Sequence, residues 1–195
     1  QKPRASDQLW LDMSVILSTV MVVIAQGFGV SKLLSTELNS ALLLCAATLQ
    51  TIRFLRWKFW LTTKVSLLWS LHGAYAFVPL GMAMLAASYW FDTLTYSTAQ
   101  HAILAGAIGA MILSMMARVS LGHSGRPLKP KKIMSAAFVL ILIAGLVRSL
   151  GVWLAVESQL LWLSLAALGW IFAYGIFSFI YWPILSRPRV DGKPG

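Results

Sequence analysis

Six long apolar segments constrain the fold of this chain more than any other feature of its sequence. Each is as long as the roughly 17–25 residues that an α-helix needs to cross a bilayer. Their approximate bounds are 9–30, 38–55, 65–88, 99–121, 133–154 and 159–182. Membrane β-strands would be about 10 residues long and would alternate in polarity, whereas these segments are longer and apolar on both faces. The pattern therefore predicts an all-α membrane protein, a bundle of six transmembrane helices.

The composition agrees with a membrane location. Hydrophobic residues make up 58% of the 195 residues and charged residues only 11%, against about 45–50% and about 25% in soluble domains. A soluble core of this size would leave too little polar surface to face water. The composition argues against a soluble enzyme, a disordered tail and a disulfide scaffold. Since all connections are short, we expect residues 1–195 to form a single membrane domain.

The basic residues predict the orientation of the bundle. The formal net charge is +10, and of the 16 Lys and Arg residues only Lys32 and Arg148 belong to one side of the predicted topology. Under the positive-inside rule, the side with the other basic residues is cytoplasmic, and both termini lie there. Basic residues confined to short gaps between apolar segments argue against a nucleic-acid partner. The residues on the cytoplasmic side are Lys2, Arg4, Arg53, Arg56, Lys58, Lys64, Arg118, Arg126, Lys129, Lys131, Lys132, Arg187, Arg189 and Lys193.

His72 is an ionisable residue inside the third apolar segment. It lies about seven residues from the cytoplasmic start, or roughly 10 Å deep at 1.5 Å per residue. Ionisable side chains within a span are rare and are functional candidates by default. The sequence leaves two interpretations open, a ligand or proton-handling role and a hydrogen bond to a neighbouring helix.

His101 opens the fourth apolar segment, just after Ser97 and Thr98. If Thr98 caps the helix, His101 lies in the first turn, where the helix dipole disfavours imidazolium and so favours the neutral ring that a metal requires. The alternative is an interfacial histidine that is hydrogen-bonded to water or headgroups.

His123 follows the same segment on its cytoplasmic side. We expect Gly122 to end the helix in the left-handed conformation and the loop to return His123 towards the membrane. With Arg126 nearby, His123 is a candidate clamp for an anion or a propionate group, and the alternative is a solvated basic loop. Arg118, three residues from the end of the span, can snorkel to the interface.

The three histidines are predicted to be far apart along the bundle axis. Because the third and fourth spans are antiparallel, helix rise places His72 and His101 roughly 15 Å apart. We therefore expect separate sites, or ligands completed by another segment. A row of small residues, Ala102, Gly106 and Ala110, allows close helix packing, or alternatively the approach of a flat cofactor.

Four sequence blocks resemble the NnrS family of bacterial inner-membrane proteins, which contain haem and copper and are linked to the nitric oxide response. They are LLWSLHGAY at 67–75, HAILAGAIGAM at 101–111, MMARVSLGHSGRP at 115–127 and RPRVDGK at 187–193. The resemblance implies a protein of about twelve helices of which this chain is the C-terminal half. By matching position, it also implies that His72, His101 and His123 are candidate metal ligands, with Arg118 and Arg126 as supporting cations of the cofactor site.

The resemblance implies a haem- and copper-dependent protein of the bacterial inner membrane that protects against nitrosative stress. Its expected partners are the lipid bilayer, the N-terminal half of the same protein, and nitric oxide or iron–nitrosyl species. Whether nitric oxide is turned over, sensed or trapped stays open. It therefore also stays open whether the protein is an enzyme. The alternatives are a transporter half with His72 and Arg118 along a polar path, and a membrane cytochrome subunit.

Overall fold

The computed structural model describes residues 8–192, which form a bundle of helices without a strand. Six of the helices are long and apolar enough to cross a membrane. The six predicted spans are confirmed, and each end lies within a few residues of its expected position. The chain is therefore an all-α, multi-pass membrane protein. The helices are α1 (Leu9–Gly27), α2 (Thr36–Arg56), α3 (Ser66–Ala87), α4 (Tyr96–His123), α5 (Lys132–Leu154) and α6 (Val156–Leu185).

The start of α4 differs from the prediction. Thr95 is the N-cap, and its side chain accepts a hydrogen bond from the Thr98 N–H at 3.1 Å. The helix therefore begins three residues earlier than expected, and the prediction that Thr98 is the cap is wrong. His101 consequently lies in the second turn, beyond the first turn where the helix dipole acts most strongly.

Helix α3 is central to the bundle. It packs against α2, α4 and α5, whereas α1 packs against α2 and α6 packs against α4 and α5. Two apolar cores result. One joins α3, α4, α5 and α6 around Leu113, Phe138 and Tyr181. The other joins α1, α2, α3 and α4 around Leu43 and Phe77. The outer helices α1 and α6 bury the smallest share of their length, so most of their apolar surface faces outward.

The row of small residues on α4 serves helix packing. A Cβ atom added to Gly106 would lie 2.2 Å from the Phe77 ring, and one added to Gly145 would lie 2.8 Å from the Gly106 Cα. Phe77 of α3 and Gly145 of α5 thus fill the space beside Gly106. The packing interpretation is confirmed, and a flat cofactor along this row is excluded because protein atoms already occupy it. A π-helical stretch, Ala102–Ile108, runs through the same contact.

The α4–α5 loop and the C-terminal segment meet at one end of the bundle. The Val190 N–H donates to the Ser124 carbonyl at 3.2 Å, and the Arg189 guanidinium makes two hydrogen bonds to Asp191. This bidentate contact raises the pKa of Arg189 above its ordinary value. Lys2, Arg4 and Lys193, which enter the charge argument, lie outside the described residues. The cytoplasmic location of this end stays a prediction.

Candidate functional site

The protonation of His72 follows from its hydrogen bonds. Its Nδ1 atom lies 2.9 Å from the Leu68 carbonyl oxygen and 3.2 Å from Thr62 Oγ1. A carbonyl oxygen can only accept, and the Thr62 hydroxyl donates its own proton to the Phe59 carbonyl at 2.7 Å. Nδ1 therefore carries the proton in the neutral ring, and the lone pair is on Nε2. Within residues 8–192, Nε2 has no hydrogen-bond partner.

Aromatic rings from α2 and the following turn surround His72. The imidazole centroid is 6.0 Å from the Trp57 ring and 6.5 Å from the Phe54 ring. Trp57 also packs against Tyr75, one turn further along α3, at 4.5 Å. His72 thus lies at a half-buried, aromatic-lined position where α2 meets α3.

A polar network behind this position joins three helices and was not anticipated from the sequence. The Tyr75 hydroxyl donates to Gln50 Oε1, and Gln50 Nε2 donates to Thr19 Oγ1 at 2.9 Å. Gln50 is only 5% exposed. An amide well inside the shortest apolar segment was the available signal, because a buried amide needs partners.

An ion pair lies on the same side of α2. Arg53 Nε is 3.2 Å from Asp12 Oδ1, and the guanidinium carbon is 5.4 Å from the Trp57 ring centroid. The contact to Trp57 connects this pair to the aromatic surroundings of His72.

His101 repeats the arrangement of His72 near the other end of the bundle. Its Nδ1 lies 2.6 Å from the Ser97 carbonyl oxygen. By the same reasoning Nδ1 donates and Nε2 keeps the lone pair. His101 is half-buried and directly precedes the π-helical stretch of α4. Such stretches are frequent at functional sites because they change which side chains share a helix face.

The end of α4 corrects the prediction made for Gly122. The helix continues through Gly122 to His123, and Gly125 has the positive φ, +72°. The Arg126 N–H bonds to the Leu121 carbonyl at 2.9 Å and the Gly125 N–H to the Gly122 carbonyl at 3.1 Å. This is a Schellman motif that ends the helix after His123, with Gly125 as the left-handed residue beyond its end. His123 and Arg118 are both exposed.

Arg126 lies in a cavity that none of the three histidines lines. The cavity measures about 390 Å³ and lies between the α4–α5 loop and the end of α6. Arg126 Nη1 is buried there without a hydrogen-bond partner among the described residues. Arg126 and His123 are close in sequence, but they do not line one common pocket.

Packing contacts set the register of α4 against α3 and so the spacing of the histidines. Gly81 packs against Ile103, and Gly106 packs against Phe77. His101 is therefore level with about position 83 of α3, which is about 16 Å above His72 along the helix axis at 1.5 Å per residue. The same register places His123 below the first residue of α3. Within residues 8–192, no three His, Cys, Asp or Glu side chains form a group that could hold a metal ion.

His72 and His101 each fit a haem iron or a copper ion as single ligands. A metal-ligating histidine usually donates its other ring N–H to a carbonyl or carboxylate oxygen, and imidazole suits both iron and copper. Both side chains have this arrangement, with Nε2 left to bind.

The model of the NnrS protein family matches residues 2–189 of the chain. Neither the curated proteins nor the solved structures give a match. The match runs through all six spans and includes His72, His101, His123, Arg118 and Arg126. Because it covers most of the 195 residues, the chain belongs to the NnrS family.

Proposed function

We propose that this chain acts in the nitric oxide response of bacteria as part of a haem- and copper-dependent protein of the inner membrane, and that it protects against nitrosative stress. Family membership supports a role in this response at the level of the family. Nitric oxide or an iron–nitrosyl species is the proposed ligand. The proposed protein partner is an N-terminal half of about six further helices, and residues 1–195 are proposed to be the C-terminal membrane domain.

The observation that carries the proposal is the shared arrangement of His72 and His101. Each donates Nδ1–H to a backbone carbonyl, at 2.9 Å and 2.6 Å, and each leaves Nε2 with its lone pair. A neutral imidazole that is oriented in this way is the form that binds iron or copper. We propose His72 as a ligand on the predicted cytoplasmic half and His101 as a ligand near the opposite face.

The surroundings of His72 support its proposed role. Phe54 and Trp57 pack beside the imidazole, and Trp57 is held in turn by its contact with Tyr75. The hydrogen bonds to Leu68 and Thr62 set the plane of the imidazole. When bound, haem iron or copper supplies a coordination position that takes up nitric oxide, which enters from the bilayer as a small apolar gas.

The roles of His123, Arg118 and Arg126 stay predictions of the family resemblance. His123 is exposed at the end of α4, where it can complete a site only together with a group from outside residues 8–192. Arg118 lies exposed on the same helix and can balance the charge of a propionate. Arg126 lines its own cavity, away from His72 and His101.

An absorption spectrum and a metal analysis test the proposal. The chain is purified in detergent, alone and co-expressed with an N-terminal half of the family. We expect a Soret band or bound copper that is lost in His72→Ala or His101→Ala and kept in Ser97→Ala. Ser97→Ala is the matched control because the acceptor of His101 is the Ser97 backbone carbonyl, which the substitution leaves in place. Metal that appears only with both halves would support a shared site.

Two results would overturn the proposal. Absence of both haem and copper under either condition would favour a transporter half. Haem that cycles reversibly with a partner oxidoreductase, without any effect of nitric oxide on its spectrum, would favour a cytochrome subunit.

A further inference from the structure

The cavity at the end of α4 carries an inference that is independent of the proposed metal ligands. It lies where the α4–α5 loop meets the last turns of α6, and its volume of about 390 Å³ falls within the roughly 300–1,000 Å³ of small-molecule sites. Among the described residues, four cationic side chains line it and no acidic side chain does. They are Arg126, Lys129, Lys131 and Arg187.

Tyr181 and Arg126 both line this cavity. Each has a polar atom that is buried without a hydrogen-bond partner among the described residues, Oη of Tyr181 and Nη1 of Arg126. Tyr181 is only 1% exposed, and its ring is held by stacking on Phe177 at 4.6 Å. A buried hydroxyl or guanidinium N–H without an acceptor costs free energy. Both atoms are closed off from water in the described side-chain positions, so an anionic oxygen in the cavity would accept from them after a small rotation of each side chain.

The position of Arg126 is set by the backbone. The Schellman motif and Pro127 hold the chain at this point, because the Arg126 N–H is bonded to the Leu121 carbonyl at 2.9 Å. A guanidinium on a fixed backbone that shares a cavity with a phenol is suited to a phosphate, whose oxygens accept several hydrogen bonds at once.

An apolar groove adjoins the cavity and indicates which kind of molecule the phosphate belongs to. The groove measures about 700 Å³ and shares Lys131, Ile180 and Pro183 with the cavity. It continues along α6 past Phe179 and Trp182, which are 85% and 76% exposed. In a membrane this face of α6 lies against acyl chains. A cationic cavity that opens into an apolar groove matches a headgroup joined to a hydrocarbon chain, whereas a free phosphate would use the cavity alone.

We propose that this cavity binds the phosphate of an anionic phospholipid, with Arg126 and Tyr181 as its buried donors and the groove beside Phe179 and Trp182 as the path of an acyl chain. Lys129, Lys131 and Arg187 form the cationic rim, which attracts the headgroup from the leaflet surface. The site belongs to the chain itself and does not depend on haem or copper.

The experiment measures lipid binding to the delipidated chain in detergent. Phosphatidylglycerol, phosphatidylcholine and inorganic phosphate are added in separate titrations, followed by native mass spectrometry and by the thermal unfolding midpoint. We expect phosphatidylglycerol to bind and to raise the midpoint, and the other two to do so much more weakly. Arg126→Gln should weaken phosphatidylglycerol binding by about tenfold or more, and Tyr181→Phe by roughly two- to tenfold.

Lys132→Gln is the matched control. Lys132 is exposed and lies next to Lys131, but it lines neither the cavity nor the groove. Its substitution removes the same charge as Arg126→Gln. An equal loss of binding in Lys132→Gln would show diffuse attraction by net charge and would overturn the site.

Two further results would overturn the proposal. Inorganic phosphate that stabilises the chain as much as phosphatidylglycerol would assign the cavity to a soluble anion. Unchanged phosphatidylglycerol binding in Tyr181→Phe would show that the buried hydroxyl does not bind the lipid. That variant keeps the ring and all charges, so it tests the site even if Arg126→Gln does not fold.

Discussion

The carboxylate of Asp191 occupies the place where a side chain on Gly125 would begin. A Cβ atom built on Gly125 would lie 2.7 Å from Asp191 Cγ, and Gly125 has φ +72°. A side chain at residue 125 would therefore displace the Asp191 carboxylate from its place against the α4–α5 loop. Two of the sequence blocks that resemble the NnrS family, 115–127 and 187–193, contain these two residues.

Gly125→Ala should destabilise the protein. The left-handed conformation costs about 1–2 kcal/mol for a residue with a Cβ, and displacement of Asp191 adds to this cost. We expect a lower thermal unfolding midpoint in detergent. The control is Gly122→Ala, since Gly122 is helical and its nearest neighbour would be Leu128 Cδ2 at 3.9 Å. That change should leave stability equal or raise it by up to about 1 kcal/mol. Equal losses in both variants would contradict the assignment of the turn to Gly125.

Gly106→Ala should also destabilise the bundle, for a packing reason. The added Cβ would lie 2.2 Å from the Phe77 ring, with Gly145 on the other side. Overpacking of this kind costs typically about 1–3 kcal/mol. Gly175→Ala on α6 is the control, because nothing lies within 4 Å of its added Cβ. Chemical denaturation in micelles measures the difference, and a Gly106→Ala protein as stable as Gly175→Ala would refute the close contact of α3, α4 and α5.

Gln50→Leu should break the polar network that joins α1, α2 and α3. The substitution leaves the Tyr75 hydroxyl without its acceptor and Thr19 without its donor. Loss of a partner from a buried polar group costs about 1–3 kcal/mol. In Gln50→Leu combined with Tyr75→Phe the hydroxyl is no longer orphaned, so the double variant should lose less stability than the sum of the two single changes. A double-mutant cycle on unfolding free energies measures this coupling, and strict additivity would argue against a direct hydrogen bond.

His72→Ala and His101→Ala should remove different bound groups. The register of α3 and α4 separates the two residues by about 16 Å along the bundle, too far for one metal ion. Each single variant should therefore lose part of the haem or copper content of the complete protein, and the double variant should lose the sum. Metal analysis and difference spectra follow the loss. If either single change removed all metal, the two histidines would depend on each other, contrary to the separate sites proposed.

Several features of this protein could be predicted from the sequence because they depend on local composition. A segment of about 20 apolar residues can satisfy its backbone in lipid only as a helix, so all six spans were predicted with their approximate ends. The separation of His72 from His101 followed from helix rise in antiparallel spans. His72, His101 and His123 were found because an ionisable residue in or beside an apolar run is conspicuous against its neighbours.

Other features required the tertiary structure because they depend on atoms far apart in the sequence. Gly122 and Gly125 both suit a helix end, and only the hydrogen bonds to Leu121 and Gly122, with Asp191 packed against Gly125, decided between them. Gln50 gained its role from Thr19 and Tyr75 on two other helices.

The cavity lined by Arg126 and Tyr181 also has features that the sequence determines and features that only the tertiary structure decides. The sequence by itself determined that basic residues collect at one end of the bundle, since short connections between apolar spans are where charge is tolerated. Only the packing of α6 against the α4–α5 loop brought Tyr181 to Arg126 and left both donors without acceptors. The hydrophobicity of a segment is a sum over its own residues, so it can be read from the sequence. A binding site requires side chains from separate helices to lie close together, and this is set by the register and packing of the helices.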